Sequence, residues 1–248
     1  MSKLEPILIM GAPCSGTTFV RYMLGQHPSY KSIDGETSLM THRGLHKYIY
    51  SAHRWKEISD LENKIWGGGF HIKDDNDRDI GISRYCSQEK LKKALHDFKE
   101  EALFSNDPFK TARKLYDDIC SDENYDSYIE KTPTHAVVSD AMRIMFPDSI
   151  FVIVERDLQD ATRSAYEKSW ANKNYDFVRS MIHTSQSMAR RFLSNDDKTV
   201  WIRFETLAED IDKIISQLIE LGMPEEGSEK IIKFCERQYN DKRVLRHQ

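Results

Sequence analysis

The stretch Pro6-Ile7-Leu8-Ile9-Met10-Gly11-Ala12-Pro13-Cys14-Ser15-Gly16-Thr17-Thr18 decides how the rest of the chain is read. Its first half is a short, unbroken apolar run closed by Pro and Gly, the pattern of a strand covered on both faces of a parallel sheet. Its second half has the frame G-x-x-x-x-G-x-[ST] from Gly11 to Thr18 and opens a segment with helical spacing. In that context a glycine-rich turn points successive backbone N–H groups, and the positive end of a helix, at an anion. Position 17 is Thr, where a nucleotide triphosphatase has the Lys that reaches the β and γ phosphates, and no apolar strand ends in a clear magnesium-binding Asp. The loop is therefore read as an anion cradle without the charge of a kinase. A plain strand-to-helix turn capped by Ser or Thr needs fewer of these residues.

Working outward, a second buried strand is expected at Ile150–Val154 in DSIFVIVERD and a third where Val200, Ile202 and Phe204 alternate in TVWIRFE. Shorter strands are read at Tyr30–Ile33 and Tyr128–Glu130. Helical spacing covers Thr18–Gly25, Gln88–Phe104, Pro108–Cys120, Val137–Phe146, Leu158–Trp170, Phe177–Leu193 and Asp210–Leu221. Strands separated by helices build βαβ units, so the expected fold is α/β: one phosphate-loop domain over residues 1–248, with a central parallel sheet flanked by helices. The region of about 39–126 has no clear strand and many charges. It is expected to be a helical insertion over the active-site edge, either a lid hinged at Gly67–Gly69 or a solvated surface segment that includes Lys73–Asp79.

Composition narrows the class. With 248 residues, 39% hydrophobic and 31% charged, the chain is long enough to bury its own core and is neither low-complexity nor disordered. Its 36 basic and 40 acidic side chains give a net charge of -4, so no nucleic-acid or membrane-surface partner is expected. No apolar run approaches the roughly 20 residues of a membrane span, and no signal peptide is read in MSKLEPILIMG. Cys14, Cys86, Cys120 and Cys235 are far apart with no C-x-x-C pair, which fits reduced thiols in a cytoplasmic protein. His42 and His46 are four apart, but Gly44 interrupts them and no third ligand is in register, so no metal is expected. Residues 156–191 carry 7 basic and 4 acidic side chains, a local excess that suits a polyanionic ligand. Lys242, Arg243, Arg246 and His247 form a basic tail that either closes on such a ligand or is simply solvated.

The loop resembles that of the sulfotransferases that use 3′-phosphoadenosine 5′-phosphosulfate (PAPS), whose pattern is P-[RK]-S-G-T-T. Pro13, Ser15, Gly16, Thr17 and Thr18 match, and Cys14 stands where most of that family carries a basic residue. The resemblance extends to Arg156 and Ser164, eight residues apart after a predicted strand, which by the resemblance bind the 3′-phosphate of the donor. It continues through Arg21-Tyr22-Met23-Leu24, His27-Pro28 and Asp34-Gly35-Glu36-Thr37, and here the tyrosylprotein and carbohydrate branches imply Glu36 as catalytic base. Glu130-Lys131-Thr132-Pro133 matches a motif whose Lys lies near the bridging oxygen of the phosphosulfate, so Lys131 is the implied second catalytic residue. Ile202-Arg203-Phe204-Glu205-Thr206-Leu207 resembles a structural element of the same family.

The expectation is therefore transfer of a sulfuryl group from PAPS, without a metal, to a hydroxyl or amine of a small-molecule or carbohydrate acceptor. The competing readings are a small-molecule kinase and a nucleotide-binding protein that has lost catalysis through Cys14. The acceptor and the oligomeric state are not legible. Tyr48, Tyr50, Trp55, Trp66, Phe70 and Tyr85 in the insertion either line an acceptor pocket or pack a core.

Overall fold

A computed structural model describes residues 4–71 and 81–240. In chain order the elements are β1 (Ile7–Gly11), α1 (Thr17–Leu24), β2 (Tyr30–Ser32), α2 (Leu45–Tyr50), α3 (Arg54–Trp66), α4 (Gln88–Ala102), α5 (Pro108–Cys120) and β3 (Ser127–Lys131). They continue with α6 (Ser139–Met145), β4 (Ile150–Glu155), α7 (Leu158–Tyr166), α8 (Tyr175–Leu193), β5 (Thr199–Arg203), α9 (Ile211–Glu220) and α10 (Ser228–Asn240). The five strands form one parallel sheet in the order β2-β3-β1-β4-β5. This is the expected α/β fold.

The central strand earns its place by chemistry: Ile7, Leu8, Ile9 and Met10 have no exposed surface at all. Ile7 and Ile9 share one face with Val152, Val154, Val200 and Ile202, and that face is covered by α1, α9 and α10 through Phe19, Val20, Ile214, Leu218 and Ile231. Beyond β1, Ala12 joins a second cluster formed by Ala161, Ala165, Val178 and Ile182 of α7 and α8. All strands run the same way, so their C-terminal ends share one edge, where open α/β sheets bind ligands. At that edge stand the loop after β1, Lys131 at the end of β3, Arg156 after β4 and Phe204 after β5.

The chain forms two compact units. The sheet unit holds residues up to 32, 122–137 and from 148 onward; the second holds 33–121 and 138–147. The second unit is helical, with a core of its own. Tyr48 and Phe98 meet edge to face at 5.0 Å, as do Tyr116 and Phe146 at 5.4 Å. Phe70 and Tyr85 are also buried and the half-buried Trp66 packs on Phe70 at 5.3 Å, whereas Tyr50 and Trp55 are exposed, so core packing is the use of four of these six aromatics. Gly67 ends α3, its N–H donating to the Asn63 carbonyl at 2.7 Å, which gives the glycine run a helix-terminating role. The acidic run Lys73–Asp79 and the basic tail Lys242, Arg243, Arg246 and His247 lie outside the described residues.

Several boundaries differ from expectation for local reasons. The alternation of β5 stops at Arg203, and Phe204 begins a short 3-10 turn. The helix expected to reach Trp170 ends at Tyr166. Gly44, with φ 88°, stands at the N-terminus of α2, so His42 precedes that helix and shares no helical face with His46, whose Nδ1 bonds the Met40 carbonyl. Among the described residues no group of His, Cys, Asp or Glu is arranged to hold a metal ion, and no helix is long and apolar enough to cross a membrane.

Candidate active site

The loop between β1 and α1 is built around two left-handed residues. Gly16 has φ 95° and Cys14 has φ 62°, a region that costs an L-residue about 1–2 kcal/mol. The Ser15 N–H donates to the Ala12 carbonyl at 3.2 Å and the Val20 N–H to the Gly16 carbonyl at 3.2 Å, which closes the turn into the helix. The N-cap of α1 is Gly16, which has no side chain to cap the N–H groups of the first turn. The Ser15 hydroxyl is fully buried and has no hydrogen-bond partner among the described residues. A buried hydroxyl left unbonded costs about 1–3 kcal/mol unless a ligand satisfies it. An uncapped helix start beside an orphaned hydroxyl is an anion-receiving arrangement.

Two glycines are required by packing. A Cβ on Gly11 would collide with the Val154 carbonyl and lie 2.7 Å from Ser15 Oγ, so only glycine lets β4 and the loop approach this closely. A Cβ on Gly16 would collide with the ring of Phe204. Phe204 therefore supports the loop from the end of β5, a role its alternation with Val200 and Ile202 did not reveal.

Arg156, half-buried after β4, is brought directly to the loop. Its Nη1 donates to the Cys14 carbonyl at 3.1 Å, and its guanidinium carbon stands 5.0 Å from the centre of the Phe204 ring. The Gln186 amide from α8 donates to the Arg156 carbonyl at 2.7 Å. The neighbouring carboxylates are otherwise employed: Asp157 caps α7 by accepting from the N–H groups of Gln159 and Asp160, and Asp160 faces Arg163 at 3.9 Å. Glu205 accepts from the Asp157 N–H at 2.8 Å and so ties the end of β5 to the start of α7. Ser164 lies half-buried on α7.

Lys131 ends β3 beside β1, in register with Ile9, and is buried. The residues around it are fixed. Glu130, fully buried, accepts from Thr132 Oγ1 at 2.5 Å and faces His135 Nδ1 at 3.4 Å. The Thr132 N–H continues the ladder to the Ile9 carbonyl at 3.3 Å. Arg21 is buried on α1, its guanidinium 4.3 Å from the Tyr22 ring centre.

Glu36 belongs to the helical unit, in an irregular segment anchored on both sides. Asp34 pairs with Arg84, and Thr37 Oγ1 is 2.7 Å from the Tyr116 hydroxyl. Gly35 has φ 132° and Ser38 φ 50°, so positive-φ residues flank Glu36 on both sides. Arg84 and Tyr116 lie far along the sequence and carried no motif. His27 is structural: its Nδ1 accepts from the Ser29 N–H at 3.3 Å, which makes Nε2 the donor to the Pro224 carbonyl at 2.9 Å. The same unit that holds Glu36 also has a shallow cleft lined by Arg43, Asp60, Asn63, Lys64, Gly67 and Gly68.

The family model described as "Sulfotransferase family" matches residues 6–227, and the chain belongs to that family. Among solved structures it is similar to the sulfotransferase domain from the olefin synthase of Synechococcus PCC 7002, with 17% identity over 92% of this chain and 77% of that one and a TM-score of 0.56. It is also similar to the sulfotransferase domain from the curacin biosynthetic pathway, with 16% identity, 91% and 77% coverage and a TM-score of 0.53. Identity this low shows the fold. No curated protein sequence matches significantly. Family and fold together support a transferase whose chemistry is sulfuryl transfer.

Proposed function

We propose that this protein transfers the sulfuryl group of PAPS to a hydroxyl or amine of a small-molecule or carbohydrate acceptor, with residues 1–248 working as one cytoplasmic sulfotransferase-like domain. The observation that carries the reading is the buried, unbonded Ser15 hydroxyl at the uncapped start of α1, held between Gly11 and Gly16. That arrangement fits an oxyanion and lacks the Lys that a triphosphate donor requires.

In this reading Pro13 and Cys14 shape the turn while Ser15, Gly16, Thr17 and Thr18 hold the 5′-phosphosulfate by hydroxyls and N–H groups. Arg156 and Ser164 bind the 3′-phosphate, with the charge-assisted hydrogen bonds that suit a guanidinium and a phosphate. Glu36 takes the proton of the acceptor as its oxygen or nitrogen forms the new bond to sulfur. The bond from sulfur to the bridging oxygen breaks, its electron pair goes to the departing phosphate, and Lys131 offsets that charge. No metal enters the scheme. Cys14 removes one basic contact to the donor relative to most of the family, and the N–H groups of the loop supply the compensation.

The test is incubation with PAPS labelled in its sulfur, over a panel of hydroxyl and amine acceptors. Label on an acceptor supports the reading. Magnesium-dependent transfer from ATP instead would make the protein a kinase, and donor binding with no transfer over the panel would make it a binding protein.

A further inference from the structure

We infer that Arg156 has a second task, which rests on the donor reading above: it is a positioning residue for the phosphate loop, acting through the Cys14 carbonyl and the Phe204 ring. The peptide plane between Cys14 and Ser15 is held at both ends. Its carbonyl accepts from Arg156 Nη1 at 3.1 Å, and its N–H donates to the Ala12 carbonyl at 3.2 Å. Cys14 reaches that geometry only in the left-handed region, at φ 62°, where a non-glycine residue stays only if its surroundings hold it. Flipping this plane would break both hydrogen bonds and set the Cys14 carbonyl oxygen against that of Ala12.

Phe204 completes the device. The guanidinium stands over its ring at 5.0 Å, and the same ring fills the space beside Gly16, the other left-handed residue of the loop. One aromatic side chain thus supports Gly16 directly and Cys14 through Arg156. A guanidinium has five N–H donors, and among the described residues this one makes a single hydrogen bond, so the group is able to hold the Cys14 carbonyl and receive a phosphate at once. The inference predicts that occupancy of the distal phosphate site and the shape of the 5′-loop are coupled through one side chain.

Two readouts separate this idea from the donor assignment. The first needs no nucleotide: Arg156→Ala should accelerate hydrogen exchange of the Ser15 amide about tenfold while the amides of β1 and the end of α1 keep their protection. The second uses 5′-AMP, which has no 3′-phosphate. Arg156→Ala and Phe204→Leu should each weaken it about fivefold, and the double variant should lose clearly less than the product of the two single losses, because the two residues share the guanidinium–ring contact while Phe204 alone also supports Gly16. Unchanged Ser15 exchange in a folded Arg156→Ala protein, or additive losses in the double variant, would overturn the inference. Failure of the donor reading looks different: the wild type would then show no preference for adenosine 3′,5′-bisphosphate over 5′-AMP, whatever the exchange result.

Discussion

The ring of Phe204 lies in the space that a side chain on Gly16 would need, so the end of the last strand and the turn after the first are shaped for each other. Gly16 is constrained twice, by this contact and by its φ of 95°. Gly16→Ala should therefore cost at least about 2 kcal/mol, combining left-handed strain with the steric overlap, and should abolish nucleotide binding. Urea unfolding and calorimetry on the same preparation check both parts. A variant of wild-type stability would show that the ring moves aside freely.

Glu36→Gln should lower turnover by roughly 10² to 10⁴ and leave donor affinity within about threefold, because a general base contacts the acceptor and not the nucleotide. The substitution keeps the shape of the side chain, and the anchors on either side, Asp34–Arg84 and Thr37–Tyr116, remain. Rate measurements with saturating donor decide it. Turnover close to wild type would move the base to another residue.

The Thr37–Tyr116 contact predicts a separable effect. Tyr116→Phe removes one hydroxyl from a buried pair 2.7 Å apart and should cost about 1 kcal/mol of stability. If this contact holds the segment that carries Glu36, kcat should fall while donor affinity stays constant. A loss of donor affinity instead would show that the damage spreads beyond this segment.

Much of this organisation was legible because it is local. The run Ile7–Met10 followed by Gly11 to Thr18 announces its strand, turn and helix within a dozen residues, and α5 begins and ends where Pro108 and Cys120 were read. α3 was not legible: its inward face is only Ile58, Leu61 and Ile65 among seven charged or amide-bearing neighbours and a Trp near each end. α10 hides likewise, with Ile231 and Cys235 as its buried contacts in a charged sequence. The motif readings found Arg156 and the loop separately. That the two are hydrogen-bonded across 142 residues, with Phe204 between Arg156 and Gly16, is a tertiary fact with no local trace. Arg84 and Tyr116 were silent for the same reason.

A pH prediction comes from α5. Burial, with Asp97 and Asp117 adding to it against the opposing Lys114, holds the Asp118 carboxyl above its usual range. A carboxyl raised in this way favours the acid form of the folded protein. Its contribution is complete below the unfolded pKa and is lost as pH rises through the folded one. Asp118→Asn should therefore raise the melting temperature at neutral pH, and the gain should vanish at a pH low enough to protonate both states. A gain that is the same at both pH values would assign the effect to packing.

The most direct test of the donor assignment is calorimetric titration of the wild-type protein with adenosine 3′,5′-bisphosphate, 5′-AMP, ADP and ATP. The bisphosphate should bind at least about tenfold more tightly than 5′-AMP, since Arg156 and Ser164 add charge-assisted hydrogen bonds worth about 1.5–3 kcal/mol to one extra phosphate. ADP and ATP, which carry their additional phosphates on the 5′ side, should gain nothing comparable. Equal affinities for the bisphosphate and 5′-AMP, or a preference for ATP with magnesium, would contradict the account.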